Sequence, residues 1–494
     1  MKLLIKVLLS VFTSLSMQVG NADVLDKETL LRIERQLPKQ IEKLYADNGL
    51  KGDFLIAVID TEGLRYAYSL NERGAGPKDN GLSISTPFLL ASHTKAFTGT
   101  LAQLLQEQGR FSLNAPLRQY LADLILDKRV AVDEISIAQL LNHTAGFTST
   151  QHSFKTAYLG YQDESELITA LNSKMLVAAP GKFRYSNTGP ILAAAAMEKA
   201  TGQSWKRLMR EEIFIPLGMT NTSTNLSDYP PGGILPSVEL DSDGQLARKG
   251  LYKDNIRLHA AGGVVSTLAD MAKWLQFNLL QSQHLSDSAH FFDSLHQATT
   301  VQDKHYFTYQ RRGYSLAWDI ADYHDKPILT RFGSYAGISL HVSFLPIEKL
   351  AVVSVYNEER GFLLPHVAAN YIYNLTVSPG AAQQRFDVEK GRLHQSVEQE
   401  NAKLLAYSRQ VRVSAEWATW VGQYQANDGW PAMEIFEKQQ VVWLRWGALE
   451  GPLYQREENQ FTAALGPLRR DIRLAIEHGK RMIKNGSIEY VRSP

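Results

Sequence analysis

Ser92-His93-Thr94-Lys95 and Tyr185-Ser186-Asn187 place a hydroxyl, an amine and a phenol on one chain. Those three groups are the parts of an acyl-transfer site that needs no catalytic histidine: a hydroxyl nucleophile, an amine and a phenol. A spacing of three on a helix sets Ser92 and Lys95 on one face, one turn apart. Leu89-Leu90-Ala91 is apolar, Ser92 is a good helix-start residue, and Phe97, Leu101, Leu104 and Leu105 continue an apolar helical pattern. A serine there also lies beside free backbone N–H groups, which stabilise developing negative charge. The same four residues equally describe an N-cap serine followed by a solvated lysine, so the wider sequence has to decide.

Elements on either side must position these groups. Residues 27–48 read as a helix, and Phe54 to Ile59 and Leu64 to Ser69 as strands joined by a turn at Asp60 to Gly63. A helix-rich stretch follows, with helices around Ile137 to Asn142, from Pro190 to Ala200 before Gly202, and from Thr267 to Leu280. Strands return at Tyr314 to Ile320, Ile328 to Phe332, Ile338 to Leu345 and Leu350 to Tyr356, and a helix near Leu363 to Leu375 closes the unit. Strands at both ends with helices between them imply one sheet built from distant pieces, an α+β layout. Ser378 to Ala382 reads as a linker, and a polar helical segment runs from about Asp387 to Arg412. Beyond it Met433 to Glu437, Val441 to Trp446, Asp471 to Ile476 and Ser487 to Val491 read as strands, with a hairpin turn at Asn485-Gly486. The tail is therefore expected to be a small all-β barrel or sandwich.

The chain has 494 residues, too many for one ordinary core. A 44% hydrophobic, 21% charged composition with net charge +1 is that of a globular protein and gives no reason to expect nucleic acid or an anionic membrane as partner. Lys2 and Lys6, the apolar Val7 to Leu15 and the small residues Gly20 and Ala22 resemble a secretory leader cut after Ala22. There is no cysteine, which excludes disulfides, a thiol nucleophile and thiolate metal sites. No apolar run after the leader is long enough to span a bilayer. The expected location is periplasmic or secreted, without stable membrane insertion after cleavage.

Five ordered segments carry a family resemblance. They are Ser92 to Lys95; Gln139-Leu140-Leu141-Asn142-His143-Thr144-Ala145-Gly146-Phe147; Pro180 to Gly189 around Tyr185-Ser186-Asn187; Ile215-Pro216-Leu217-Gly218-Met219; and Ala261-Gly262-Gly263-Val264-Val265-Ser266-Thr267. Over roughly residues 30 to 375 the chain resembles the serine β-lactamase and penicillin-binding protein superfamily, specifically the class C β-lactamase-related hydrolases and esterases. The tail resembles the lipocalin-like domain some members carry. The resemblance implies a β-lactamase/transpeptidase-like α+β fold, an antiparallel sheet flanked by helices plus an all-helical lobe, followed by the small barrel. The implied division is a leader at 1–22, a hydrolase domain at 23–378, a linker and helix at 379–412 and the barrel at 413–494. It makes Ser92 the nucleophile, Lys95 and Tyr185 its shared base, and Asn187 an orienting residue. Unperturbed lysine and tyrosine titrate near 10, so a ready base at pH 7 costs about 4 kcal/mol unless their surroundings shift them.

The family's third motif falls at Arg331-Phe332-Gly333-Ser334, a departure from Lys-Thr-Gly or His-x-Gly. Gly333 lets the backbone approach the acyl carbon, the N–H groups of Ser92 and Ser334 are expected to form the oxyanion hole, and Arg331 is expected to grip a substrate carboxylate with two parallel hydrogen bonds. Phe332 is expected to point into the core by strand alternation.

Rival chemistries fare worse. No Gly-x-Ser-x-Gly elbow is present, since Gly337-Ile338-Ser339-Leu340-His341 fails at its last position. His93 and His143 read as structural, while His259, just before Ala261-Gly262-Gly263, is a candidate for the pocket edge. No His-Glu-x-x-His or similar cluster points to a metal, and no cofactor is expected. Trp443 and Trp446 read as barrel residues rather than a ligand site. The Pro-, Gly- and Asp-rich segment from Asn221 to Leu258 is expected to roof the pocket, with Tyr252 as a candidate contact. The resulting expectation is an exported serine hydrolase acting on a small-molecule or peptide substrate: D-amino-acid peptides, peptidoglycan fragments or short esters. Two alternatives stand inside the superfamily, a true β-lactamase and a peptidase that trims a natural-product precursor. A third, of another class, is a non-catalytic peptide-binding module in which Phe332 blocks turnover.

Overall fold

The computed structural model describes residues 25–71, 81–124, 126–161, 164–172, 175–240, 246–248, 253–405, 409–426, 429–466 and 468–493. The expected leader and Tyr252 lie outside the described residues. Among these residues a nine-stranded antiparallel sheet forms the centre. Its order is Gly63–Leu70, Phe54–Asp60, Leu350–Tyr356, Ile338–Leu345, Lys326–Thr330, Asp319–Tyr323, Tyr309–Tyr314 and Thr300–Tyr306, with the short Gly333–Tyr335 paired to Ile338–Leu345.

The two central strands Ile338–Leu345 and Leu350–Tyr356 are buried along their whole length, as strands covered on both faces must be. Alternation along Phe54–Asp60 divides its side chains between two cores. Leu55, Ala57 and Ile59 join the helices Thr94–Glu107 and Leu268–Leu280, while Phe54, Ile56 and Val58 join Lys27–Asn48 and Leu364–Val377. The first core extends into a mainly helical lobe that includes Thr188–Thr201.

Two expected segments take different forms. The stretch Tyr314 to Ile320 is split by a turn in which Ser315 Oγ accepts from the N–H groups of Ala317 and Trp318, because Leu316, Ala317 and Trp318 are a buried loop rather than strand. The Ser378 to Ala382 stretch is a short 3-10 turn, Pro379–Ala381, between two packed helices. The following helix Ala382–Leu405 buries Phe386, Leu393 and Val397 in the second core. No helix among the described residues is long and apolar enough to cross a membrane.

The tail is a closed eight-stranded antiparallel barrel running from Gly422–Gln425 to Ile488–Arg492, with those two strands completing the ring. Alternate residues such as Met433 and Ile435, or Leu444 and Trp446, fill its interior. The turn at Asn485-Gly486 sits where expected, with Asn485 paired to Ile488.

One buried acid on the second face makes folding pH-dependent. Glu389 is 2% exposed and accepts from Asn370 Nδ2 at 2.9 Å and Tyr323 Oη at 3.2 Å. Burial raises its carboxyl from 4.5 to about 7 against the pull of those hydrogen bonds. The folded state therefore holds this proton more tightly than the unfolded chain, so the group's contribution is full below about pH 4.5 and is lost as pH rises through about 7. The loss amounts to about 3 kcal/mol if the whole shift is realised. In Glu389→Gln, urea unfolding at pH 5 and pH 8 is expected to lack this loss, so the variant gains on the wild type at pH 8. Equal pH dependence in both proteins would contradict the assignment.

Candidate active site

The apolar strand end Phe88–Leu89 runs into a single 3-10 turn, Ala91–His93, from which Thr94–Glu107 continues as the helix. Ala91 takes a positive φ of 46°, a strained setting for a residue with a Cβ, and it turns Ser92 towards a cleft. Three hydrogen bonds hold this turn. Leu90 N–H donates to Val264 O at 2.8 Å, Val264 N–H donates to Thr94 Oγ1 at 3.0 Å, and Thr98 Oγ1 donates to Ala260 O at 2.8 Å. The Ala261-Gly262-Gly263 segment is thus the clamp across the start of the helix.

Ser92, Lys95 and Tyr185 meet. Lys95 Nζ donates to Ser92 Oγ at 3.2 Å and to Ala261 O at 2.7 Å, while Tyr185 Oη lies 2.9 Å from Ser92 Oγ. The Lys95 ammonium sits 4.9 Å from the centre of the Tyr185 ring. Burial, reinforced by Arg331 and opposed by Tyr185, lowers the Lys95 ammonium to about 8. Tyr185 goes the same way for another reason. Burial of its hydroxyl end raises the phenol, but the charges of Lys95 and Arg331 outweigh that and bring it down to about 7. The ring itself is 42% exposed, so this tyrosine forms the rim of the cleft while its oxygen points inward.

Arg331 occupies a different place from the one expected. It is 4% exposed and does not line the cleft. Its nitrogens donate to Tyr185 Oη at 2.9 Å, Ser92 O at 3.2 Å and Asp319 Oδ2 at 3.2 Å. Asp319 is a buried carboxylate that needs cations, and it also draws Arg311 at 3.4 Å. The guanidinium fork is therefore spent on the protein rather than left open to a substrate carboxylate.

Phe332 points to the opposite side of the sheet, packing on His366 at 4.5 Å, His341 at 4.8 Å and Tyr306 at 5.2 Å in the second core. Nothing of it obstructs the cleft, which removes the argument for a module blocked by that ring. Gly333 passes so close to the Ser92 turn that a Cβ would lie 2.3 Å from Leu90 O. Ser334, next on the strand, faces the cleft.

Two histidines are structural. His93 accepts at Nε2 from Trp274 Nε1 at 3.1 Å, so its Nδ1–H donates to Arg331 O at 2.8 Å. His143 accepts at Nδ1 from Ser186 N–H at 3.3 Å and packs 4.7 Å from Tyr185, supporting the ring.

A cavity of about 210 Å³ opens from Ser92, lined also by Asn187, His259, Ser334, Tyr335, Tyr158 and Lys253. Asn187 begins the helix Thr188–Thr201, and its buried Oδ1 has no hydrogen-bond partner among the described residues. His259 stands at the edge, accepting from Ala261 N–H at 3.2 Å. The expected roof contributes its described end, Lys253. Sequence reasoning missed Lys253, Asp319, Tyr158 and Tyr335, since each is an isolated residue of its type that belongs to no motif and carries no spacing signal.

The far wall is the π-helical turn Lys155–Leu159, and the barrel supports it from behind. Ala448 N–H donates to Leu159 O at 3.0 Å, Trp446 packs 5.3 Å from Phe154, and Arg470 covers the Phe154 ring at 4.6 Å. Phe154 and Tyr158 face the cavity, so barrel and cavity share one wall.

The Beta-lactamase family model matches residues 37–371. Unguisins hydrolase ungD' of Aspergillus campestris is 28% identical over 286 residues, covering 55% of this chain and 52% of that protein. D-alanyl-D-alanine-carboxypeptidase/endopeptidase AmpH of Escherichia coli is 26% identical over 280 residues, covering 54% of this chain and 67% of that protein. The chain thus spans about half the length of the first of these relatives. The octameric penicillin-binding protein homologue from Pyrococcus abyssi superposes with a TM-score of 0.60 at 19% identity, covering 92% of this chain and 99% of that one, a likeness of fold. The matched span runs from the first helix to the helix that closes the sheet and contains each of Ser92, Lys95, Tyr185 and Arg331; the chain belongs to the Beta-lactamase family.

Proposed function

We propose that the protein is an exported serine hydrolase that cleaves small amides or esters through an acyl-enzyme on Ser92. One observation carries the reading: Ser92 Oγ lies within hydrogen-bond reach of both Tyr185 Oη and Lys95 Nζ at the mouth of a cavity. Arg331 donates to the Tyr185 oxygen, which stabilises its phenolate and leaves lone pairs to accept the Ser92 proton. The phenolate takes that proton as Ser92 Oγ bonds to the substrate carbonyl carbon, and the N–H groups of Ser92 and Ser334 receive the oxyanion. Collapse of the tetrahedral species breaks the bond to the leaving amine or alcohol, which leaves with the proton now on Tyr185. Water then attacks the ester on Ser92, again losing its proton to Tyr185, and the acid departs as Ser92 is reprotonated. Lys95 stays cationic beside the phenolate during the first step and lowers its cost. Asn187 lines the cleft beside Ser92, which supports a part for it in orienting the substrate.

The name of one relative, a D-alanyl-D-alanine-carboxypeptidase/endopeptidase, supports peptides containing D-residues as the substrate class. The basic and apolar start of the chain supports export. Intact-mass spectrometry after brief exposure to a p-nitrophenyl ester or a penicillin tests the reading. One acyl adduct is expected, mapped to Ser92 and missing in Ser92→Ala; ester turnover in the variant equal to wild type would end it.

A further inference from the structure

We propose that Lys253 anchors a carboxylate of the substrate in the cavity, a role that rests on the serine-hydrolase reading only for what happens at Ser92. Among the described residues that line the cavity, Lys253 is the one charged side chain, and none is acidic. Lys95 and Arg331 do not line it; they are spent on Ser92, Tyr185 and Asp319.

The ammonium of Lys253 is only loosely held. Two of its three N–H donors reach Ala157 O and Arg257 O, each at 3.3 Å, the long end of a hydrogen bond. The Tyr335 ring face lies 4.2 Å from Nζ, and Tyr335 is itself stacked on Tyr158 at 5.0 Å. The adjacent carboxylate, Asp254, is committed to Arg257 at 3.1 Å, and no ion pair to Lys253 forms among the described residues. A cation set into a wall with two neutral acceptors and an aromatic face has given up water without gaining a direct ion pair. Burial first, then the Arg257 charge, lowers it to about 7, so an arriving anion restores the charged form. A carboxylate supplies a charge-assisted bond for the third donor. A substrate ammonium would meet a like charge and no carboxylate.

Lys253 and Ser92 line the same cavity, so a carboxylate could sit in either half of the substrate. Two ester pairs separate the halves: p-nitrophenyl hydrogen glutarate against p-nitrophenyl methyl glutarate, and 4-acetoxybenzoate against its methyl ester. In at least one pair the wild type is expected to favour the carboxylate by ~10-fold in kcat/KM. Lys253→Met should abolish that preference through KM more than kcat, and Lys253→Arg should keep it. A lysine that merely ties residue 157 to residue 257 would instead alter both members of a pair alike, leaving the ratio unchanged.

Calorimetric titration with glutarate and benzoate needs no turnover and separates the two readings. Turnover with equal ratios in wild type and Lys253→Met, and no Lys253-dependent anion binding, overturns the anchor alone. Lys253-dependent binding without turnover of any ester supports the anchor and overturns the hydrolase reading.

Discussion

Tyr185→Phe should lower the rate of Ser92 acylation by ~10²–10⁴ with little loss of stability. The substitution deletes one oxygen and keeps the ring, whose 42% exposure and contact with His143 at 4.7 Å are unchanged by it. What disappears is the acceptor 2.9 Å from Ser92 Oγ and the anion that the Lys95 and Arg331 charges stabilise. Wild-type acylation should rise with pH through about 7, as Tyr185 loses its proton. In the variant Lys95 also loses the neighbour that holds its ammonium up, while burial continues to push it down. Any residual rate therefore follows a lysine that deprotonates below about 8. Stopped-flow ester acylation across pH 5 to 10, with the adduct confirmed by mass, measures both effects. A loss of less than tenfold would transfer the base to Lys95 and leave Tyr185 as a positioning residue.

The parts of the site that are legible in the sequence are the local ones. Ser92 and Lys95 share one helical turn, and the apolar residues after them make that helix readable. Tyr185 and Asn187 lie at the start of Thr188–Thr201, whose Gly202 end is equally plain. Long buried strands such as Ile338–Leu345 are recognisable because their composition serves two cores.

Residues joined through the fold alone are harder to read. Arg331 pairs with Asp319 because their strands, Asp319–Tyr323 and Lys326–Thr330 with its extension, are neighbours in register. Without that register a lone arginine in the third motif looks free to bind substrate. Leu316-Ala317-Trp318 imitates a strand because a loop buried against the Ser92 helix needs the same apolar residues. In the barrel, Leu449–Glu457 escaped notice because Gly451 and Pro452 interrupt it; a Cβ on Gly451 would lie 1.6 Å from Ala464 O, so the glycine is required by the neighbouring strand.

Arg331→Met should move the pH–rate profile as a whole towards alkaline values rather than lower it uniformly. Arg331 acts on both titrating groups in the same direction: its charge lowers the Tyr185 phenol and also lowers the Lys95 ammonium. Removing it therefore raises both, and the rising limb near pH 7 should move up by about one pH unit or more. Near pH 6, where the limb is steep, the rate falls ~10-fold for each pH unit the limb moves, and much of it returns at higher pH. Arg331→Lys keeps a charge but not the fork that reaches Tyr185 Oη, Ser92 O and Asp319 together, so its limb should stay nearer wild type while the plateau drops. Folding is the competing explanation for any loss. An orphaned buried charge costs ~3–5 kcal/mol, but Asp319 retains Arg311 at 3.4 Å and Gln302 at 3.1 Å, so the cost should be smaller. Pairing Arg331→Met with Asp319→Asn removes both members of that buried pair and should show the same alkaline displacement. A plateau lowered equally at every pH, in both the single and the paired variant, would mean that Arg331 only braces the Ser92 turn and does not tune its base.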